Sequence, residues 1–158
     1  MSIDGREFRD ALGCFATGVC IITASTENNQ PFGMTVNSFA SVSLDPPLIL
    51  WSLQNNSELY EVWRKTTHFA VNILRKDQRD MASQYARKGD HTLAQVHFEA
   101  GATGVPILPE TLVSLECELS TSHPGGDHTI LIGKVLEMNN RDNGEPLLFC
   151  AGAYHELA

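Results

Sequence analysis

The feature that most constrains this chain is how little separates its apolar, β-branched segments. "VCIITAS" (19–25) is followed by "TENNQP", which reads as a hairpin turn, and residues 31–44 return as a second extended segment. Pro46 and Pro47 break that segment before "LILWSL" (48–53). A Gly-Gly turn opens "GGDHTILIGKVLEMNN" (125–140), and "RDNGE" (141–145) is a further turn signal. Parallel neighbours need crossovers of a dozen or more residues, so connections this short call for antiparallel pairing. With "HFAVNIL" (68–74) and "TLVSLECELST" (111–121) there are six or more strands, a number that favours a closed barrel.

Helical periodicity is confined to short stretches. Phe8, Ala11, Leu12 and Phe15 follow the i, i+3, i+4, i+7 pattern within 4–16, and Asp4 with Glu7 resembles a capping arrangement. "NNSELYEVWRK" (55–65) is a short helix that Asn56 or Ser57 can cap, with Leu59, Val62 and Trp63 on its apolar face. A third helix starts at Asp77 and runs through "QRDMASQYARK" to end near Gly89. Residues 90–111, with Gly101, Gly104, Pro106 and Pro109, read as mostly loop with a short extended piece. The 158 residues fit one domain, 1–158, without repeats or a linker.

Several function classes are excluded. A net charge of −8 disfavours binding to phosphate backbones, so no nucleic-acid partner is expected, although a local Arg or Lys can still receive one small anion. No apolar run approaches the roughly 18 residues of a membrane span, and "MSIDGREFRD" is too polar for a secretory signal. Cys14, Cys20, Cys117 and Cys150 form no C-x-x-C pair and read as buried, reduced thiols of a cytoplasmic protein. "GCFATGVC" (13–20) begins like a phosphate loop but lacks the Lys and hydroxyl that the chemistry needs. No G-x-G-x-x-G and no G-x-S-x-G occurs. His123 and His128 flank Asp127 at short range, but no third metal ligand at good spacing can be named, so no metal is expected.

"GMTVNSFASVSLDPPLIL" (33–50) is unusual for a core strand. Thr35, Asn37, Ser38, Ser41 and Ser43 crowd four hydroxyls and an amide ahead of the double proline, which suggests a surface that holds something polar. His128 stands at a strand entrance beside a glycine turn, and by position alone it is a surface histidine.

Six stretches together carry a resemblance: "FRDALGCFATGVCIITA" (8–24), "GMTVNSFASVSLDPPLILWSL" (33–53), "FAVNIL" (69–74), "GVPILPETLVSLECEL" (104–119), "GDHTILIGKVL" (126–136) and "PLLFCAGAYHEL" (146–157). The chain resembles the short-chain flavin reductase family, the reductase components of two-component flavin monooxygenases. The resemblance implies a mainly β fold, a Greek-key-like split β-barrel of about six antiparallel strands with a few short helices. It implies FMN or FAD binding, NADH or NADPH as co-substrate, a homodimer, and a separate monooxygenase partner.

Carried onto this sequence, the resemblance implies that Thr35, Val36, Asn37 and Ser38 contact the isoalloxazine ring and ribityl chain, where short donors and acceptors suit the polar edge of the ring. Ser52, Gln54 and Ser57 would lie toward the ribityl and phosphate end, with Ser57 at a helix start. Arg87 or Lys88 is the candidate cation for the phosphate, though basic residues are also ordinary at a helix C-terminus. His128 matches the histidine of a "GDH" motif and would stand beside the flavin where nicotinamide arrives. The chain departs from many relatives at Ala153, where they carry an Arg. Trp51 is bulky for its strand and either packs under the flavin or fills the barrel. Rival expectations are a non-catalytic FMN-binding or electron-carrying barrel, and a barrel binding some other polar ligand. A pyridoxine-phosphate oxidase is disfavoured because no basic cluster marks its substrate.

Overall fold

The computed structural model describes residues 2–142 and 144–158. The "RDNGE" turn signal contains Asn143, which lies outside them. Helix α1 (Gly5–Gly13) starts at Asp4, whose carboxylate accepts the N–H groups of Arg6 and Glu7, each at 2.9 Å. The strands that follow are β1 (Thr17–Gly18), β2 (Cys20–Ser25), β3 (Pro31–Val36), β4 (Ala40–Leu44) and β5 (Pro47–Gln54). Next come α2 (Tyr60–Lys65), β6 (His68–Ile73), a 3₁₀ turn (Lys76–Gln78) and α3 (Arg79–Ala86). The chain ends with β7 (Glu99–Ala100), β8 (Pro106–Ile107), the long hairpin β9 (Val113–Gly125) and β10 (His128–Asn140), β11 (Leu148–Cys150) and β12 (Ala153–His155).

Seven strands form one antiparallel sheet in the order β3-β2-β6-β9-β10-β5-β4. The stretch 31–44, expected as one extended segment, is two strands, and they are the two outer strands of that sheet. Laid flat, seven strands span about 29 Å at the usual spacing. The three residues that join β3 to β4 reach at most about 14 Å. The sheet therefore has to curl until its edges approach, leaving a split between them. The β3 edge is partly covered, because Gly33 N–H donates to His91 O (2.9 Å) and Leu93 N–H to Pro31 O (3.0 Å).

The pleat sorts each strand's side chains. On β5, Ile49, Trp51 and Leu53 are buried, while Leu48, Leu50 and Ser52 stay partly accessible on the other face. Inside the barrel Trp51 is fully enclosed, with edge-on contacts to Trp63 of α2 (4.9 Å between centroids) and Phe69 (6.1 Å). Trp51 thus fills the barrel. Gly133 faces the same core, where a Cβ would come within 2.6 Å of the Phe69 ring tip. A second cluster, including Ile21, Leu74, Ala82, Tyr85 and Leu108, packs α3 against the sheet's outer side.

Helix α1 behaves differently from the rest. None of its residues is buried, and Phe8, Leu12 and the following Phe15 are 52%, 59% and 77% exposed. Its apolar stripe is real, but nothing among the described residues covers it. The cysteines also split. Burial pushes the thiols of Cys20 and Cys117 up to about 12, whereas Cys14 is exposed and Cys150 half-buried; all four are free. No helix among the described residues is long and apolar enough to cross a membrane.

Candidate functional site

The split opens into a cleft of about 250 Å³ lined by β3, the β3–β4 link, the end of β5, Ser57 and His128. Thr35, Val36, Asn37, Ser38, Ser52, Gln54, Ser57 and His128 all border it. Two adjoining hollows share Asn37: one of about 820 Å³ runs under α1 and the β11–β12 turn, and a smaller one reaches Ala86 and Phe149.

The hydroxyls do less for a ligand than their density suggests. Ser38 Oγ accepts the Ser52 N–H (2.9 Å) and donates to Ser52 O (3.2 Å), which pins the β3–β4 link onto β5. Thr35 Oγ1 donates to Ala82 O (2.7 Å), which ties β3 to α3. These groups hold the walls. The side-chain amides of Asn37 and Gln54 make no hydrogen bond among the described residues and stay available. So does the backbone of β3 at its open end. Gly33 N–H points away from β2, so by the alternation of an antiparallel strand Thr35 N–H does too.

His128 lies across from Gln54 in the β10–β5 register. Its Nδ1 is 2.7 Å from Asp127 Oδ1, and that hydrogen bond holds the Asp127 carboxyl below the usual carboxylate range. An ionised Asp127 accepts, so Nδ1 donates and Nε2 is left free for a ligand. Asn55 staples the hairpin that carries His128. Its backbone N–H donates to Asp127 O (2.9 Å), its Nδ2 to Gly126 O (3.3 Å), and its Oδ1 accepts Thr129 Oγ1 (2.7 Å).

One expectation needs correction. Ser57 is not at a helix start: α2 begins at Tyr60, and Ser57 Oγ accepts Leu59 N–H (3.2 Å) within the preceding turn. Segment 55–59 bends because Ser57 N–H and Tyr60 N–H bond back to Gln54 O and Ser57 O (3.0 Å each), which delays the helix. Arg87 and Lys88 do not line the cleft. They are exposed and follow α3, whose last turn holds no other base.

The connection between that basic corner and the cleft is Glu58, which sequence reasoning passed over. Its Oε1 accepts Gly89 N–H (2.7 Å) and lies 2.6 Å from His91 Nε2. These two hydrogen bonds, with the charge of Lys88 as a lesser contribution, lower its carboxyl from the ordinary value. No local pattern announces a contact across more than thirty residues. At the far end, Arg79 reaches the β11–β12 hairpin, donating to Tyr154 O (3.1 Å) beside the exposed Ala153, and His155 Nε2 lies 3.1 Å from Cys150 O, closing the same turn.

Known proteins resemble this chain in sequence and fold. A family model described as "Flavin reductase like domain" matches residues 12–158. FMN reductase (NADH) SmoA of Agrobacterium fabrum is 46% identical over 96% of this chain and 85% of its own length. The reductase component of flavin-dependent trigonelline monooxygenase from Acinetobacter baylyi is 41% identical over 82% of this chain, which spans 42% of that protein's length. Among solved structures, the styrene monooxygenase flavin reductase of Pseudomonas putida superposes with a TM-score of 0.87 at 34% identity, over 96% of this chain and 97% of that one.

Proposed function

The chain belongs to the flavin reductase like domain family, and from that premise we propose that it transfers a hydride from NADH to FMN or FAD and releases reduced flavin to a separate monooxygenase in the cytoplasm. The observation that carries this reading is the convergence of His128, Gln54 and Asn37 with the open edge of β3 around one accessible cleft. The donor set fits a flavin. Thr35 N–H and the Asn37 and Gln54 amides offer short, unpartnered donors and acceptors to the polar edge of an isoalloxazine.

A bound flavin supplies the hydride acceptor, and reduced nicotinamide the donor. The chain's own work is placement. Ser38 and Thr35 brace the two walls, so that a flavin and a nicotinamide held there would have little freedom left to lose. His128, oriented by Asp127 and Asn55, would offer Nε2 as a hydrogen-bond acceptor that orients an arriving nicotinamide. An open cleft suits a flavin that leaves after reduction. The uncovered apolar stripe of α1 beside the 820 Å³ hollow suits a second copy of the chain, giving a homodimer.

The test is NADH and NADPH oxidation by the purified protein, with and without added FMN, FAD or riboflavin. Turnover that requires free flavin and prefers NADH is expected. Flavin binding without turnover would replace the reading with a carrier. Light scattering checks the dimer, which a monomeric mass at micromolar concentration would refute.

A further inference from the structure

Arg87 and Lys88 stand outside the cleft, yet their loop is fastened to its rim. Glu58 follows Ser57 directly, and its single oxygen Oε1 holds both Gly89 N–H and His91 Nε2. Gly89 has a φ of +111°, a conformation suited to glycine, and this sharp corner places its N–H on the carboxylate immediately after the two basic residues. His91 is 8% exposed, and its other ring nitrogen, Nδ1, is buried without a partner. Among the described residues, the ring's one polar contact is therefore the one to Glu58. The His91 backbone is in turn fixed to β3 through Gly33 N–H. Three elements, the β5–α2 turn, the corner after α3 and the edge of β3, thus meet at one carboxylate.

We propose that Glu58 is a positioning residue for flavin phosphate recognition: pinned by His91 and Gly89, it holds the Arg87–Lys88 corner across the Ser57 end of the cleft. This rests on the flavin reductase reading. A bare carboxylate beside a phosphate site would repel the ligand. Here its Oε1 is occupied by two donors and Lys88 lies close, which eases that repulsion without removing the charge.

The test compares Glu58→Ala and Glu58→Gln with the parent by two readouts. The first is the rate of tryptic cleavage after Arg87 and Lys88 in the folded protein, which reports the fastening alone. The second is KM for FMN against KM for riboflavin, which shares the ring and ribityl chain but lacks the phosphate. Glu58→Ala should speed cleavage severalfold and raise KM for FMN about tenfold, as expected when charge-assisted hydrogen bonds are lost. It should leave kcat and KM for riboflavin near the parent values. Glu58→Gln, which keeps an acceptor oxygen, should restore most of both effects. An equal rise in KM for the two flavins would overturn the proposal, since a merely structural role predicts that result. So would unchanged cleavage. Equal KM values for FMN and riboflavin in the unaltered protein would overturn it by showing that the phosphate is not recognised, whereas no flavin-dependent NADH oxidation at all would remove the reading it rests on; neither result needs a substitution.

Discussion

Trp51 and Ser52 are neighbours on β5, and the pleat gives them opposite fates. Trp51 is enclosed in the barrel against Trp63 and Phe69. Ser52 borders the cleft and offers its backbone to Ser38. The inner face of the strand is apolar and close-packed, so a change there is felt as lost burial. The outer face near the split is polar and half-accessible, so a change there is felt by whatever enters. One strand serves as both scaffold and site because successive side chains point to opposite sides.

Substitutions can break this division or sharpen it. The largest expected effect is on the inner face: Trp51→Ala should cost about 3–5 kcal/mol in urea unfolding, through lost burial and a cavity. A shift below about 1 kcal/mol would mean the barrel does not depend on it. On the outer face, His128→Ala should lower kcat/KM for NADH about 100-fold, the order expected when a group that positions the substrate is lost. Its unfolding midpoint should stay within about 0.5 kcal/mol of the parent. A comparable loss of stability would place His128 with the scaffold instead. Gly133→Ala should destabilise by about 1–3 kcal/mol, because the new methyl meets the Phe69 ring, Cys117 and Ile49 inside the barrel. Thermal melting reads this directly, and an unchanged Tm would show that the core can yield.

Ser38→Ala tests the seam between the two faces. Removing both of its hydrogen bonds to Ser52 should cost about 1 kcal/mol and loosen the β3–β4 link, raising flavin KM together with amide exchange at Ser52. Flavin KM rising without faster exchange would mean that the hydroxyl touches the ligand instead. The smallest effect is acid dependence. The carboxyl of Asp127 is held below its usual range by His128, so its contribution to stability is present above the unfolded-state value of about 3.9 and is lost as pH falls through the lower folded-state value. Asp127 is 90% exposed, which keeps this contribution small. Urea midpoints of the parent and Asp127→Asn should differ slightly at pH 7 and converge in acid. A gap that widened in acid would reverse the assignment.

Much of the architecture is legible locally. Short turns forced antiparallel neighbours, Asp4 capped α1 as its spacing promised, and the "GGD" turn delivered His128 to the start of a strand. Resemblance located the cleft-lining residues on β3 and β5. That the Thr35 and Ser38 hydroxyls brace the cleft walls was not legible, because a hydroxyl in sequence does not say whether a backbone carbonyl will claim it. Ala82 and Ser52 do so only after folding brings them near.

The sequence by itself determined the strand segments, their antiparallel pairing and the kind of chemistry on the 33–57 stretch, because turn geometry and side-chain alternation act over a few residues. Tertiary structure alone decided that 31–44 splits into the two outer strands of one sheet and that Trp51 fills the barrel. It also decided that Glu58 reaches Gly89 and His91, and that the stripe on α1 finds no cover among the described residues. Those outcomes depend on closing the sheet. Closure is a long-range constraint, set by the reach of a three-residue link against the width of seven strands, and no window of local sequence contains it.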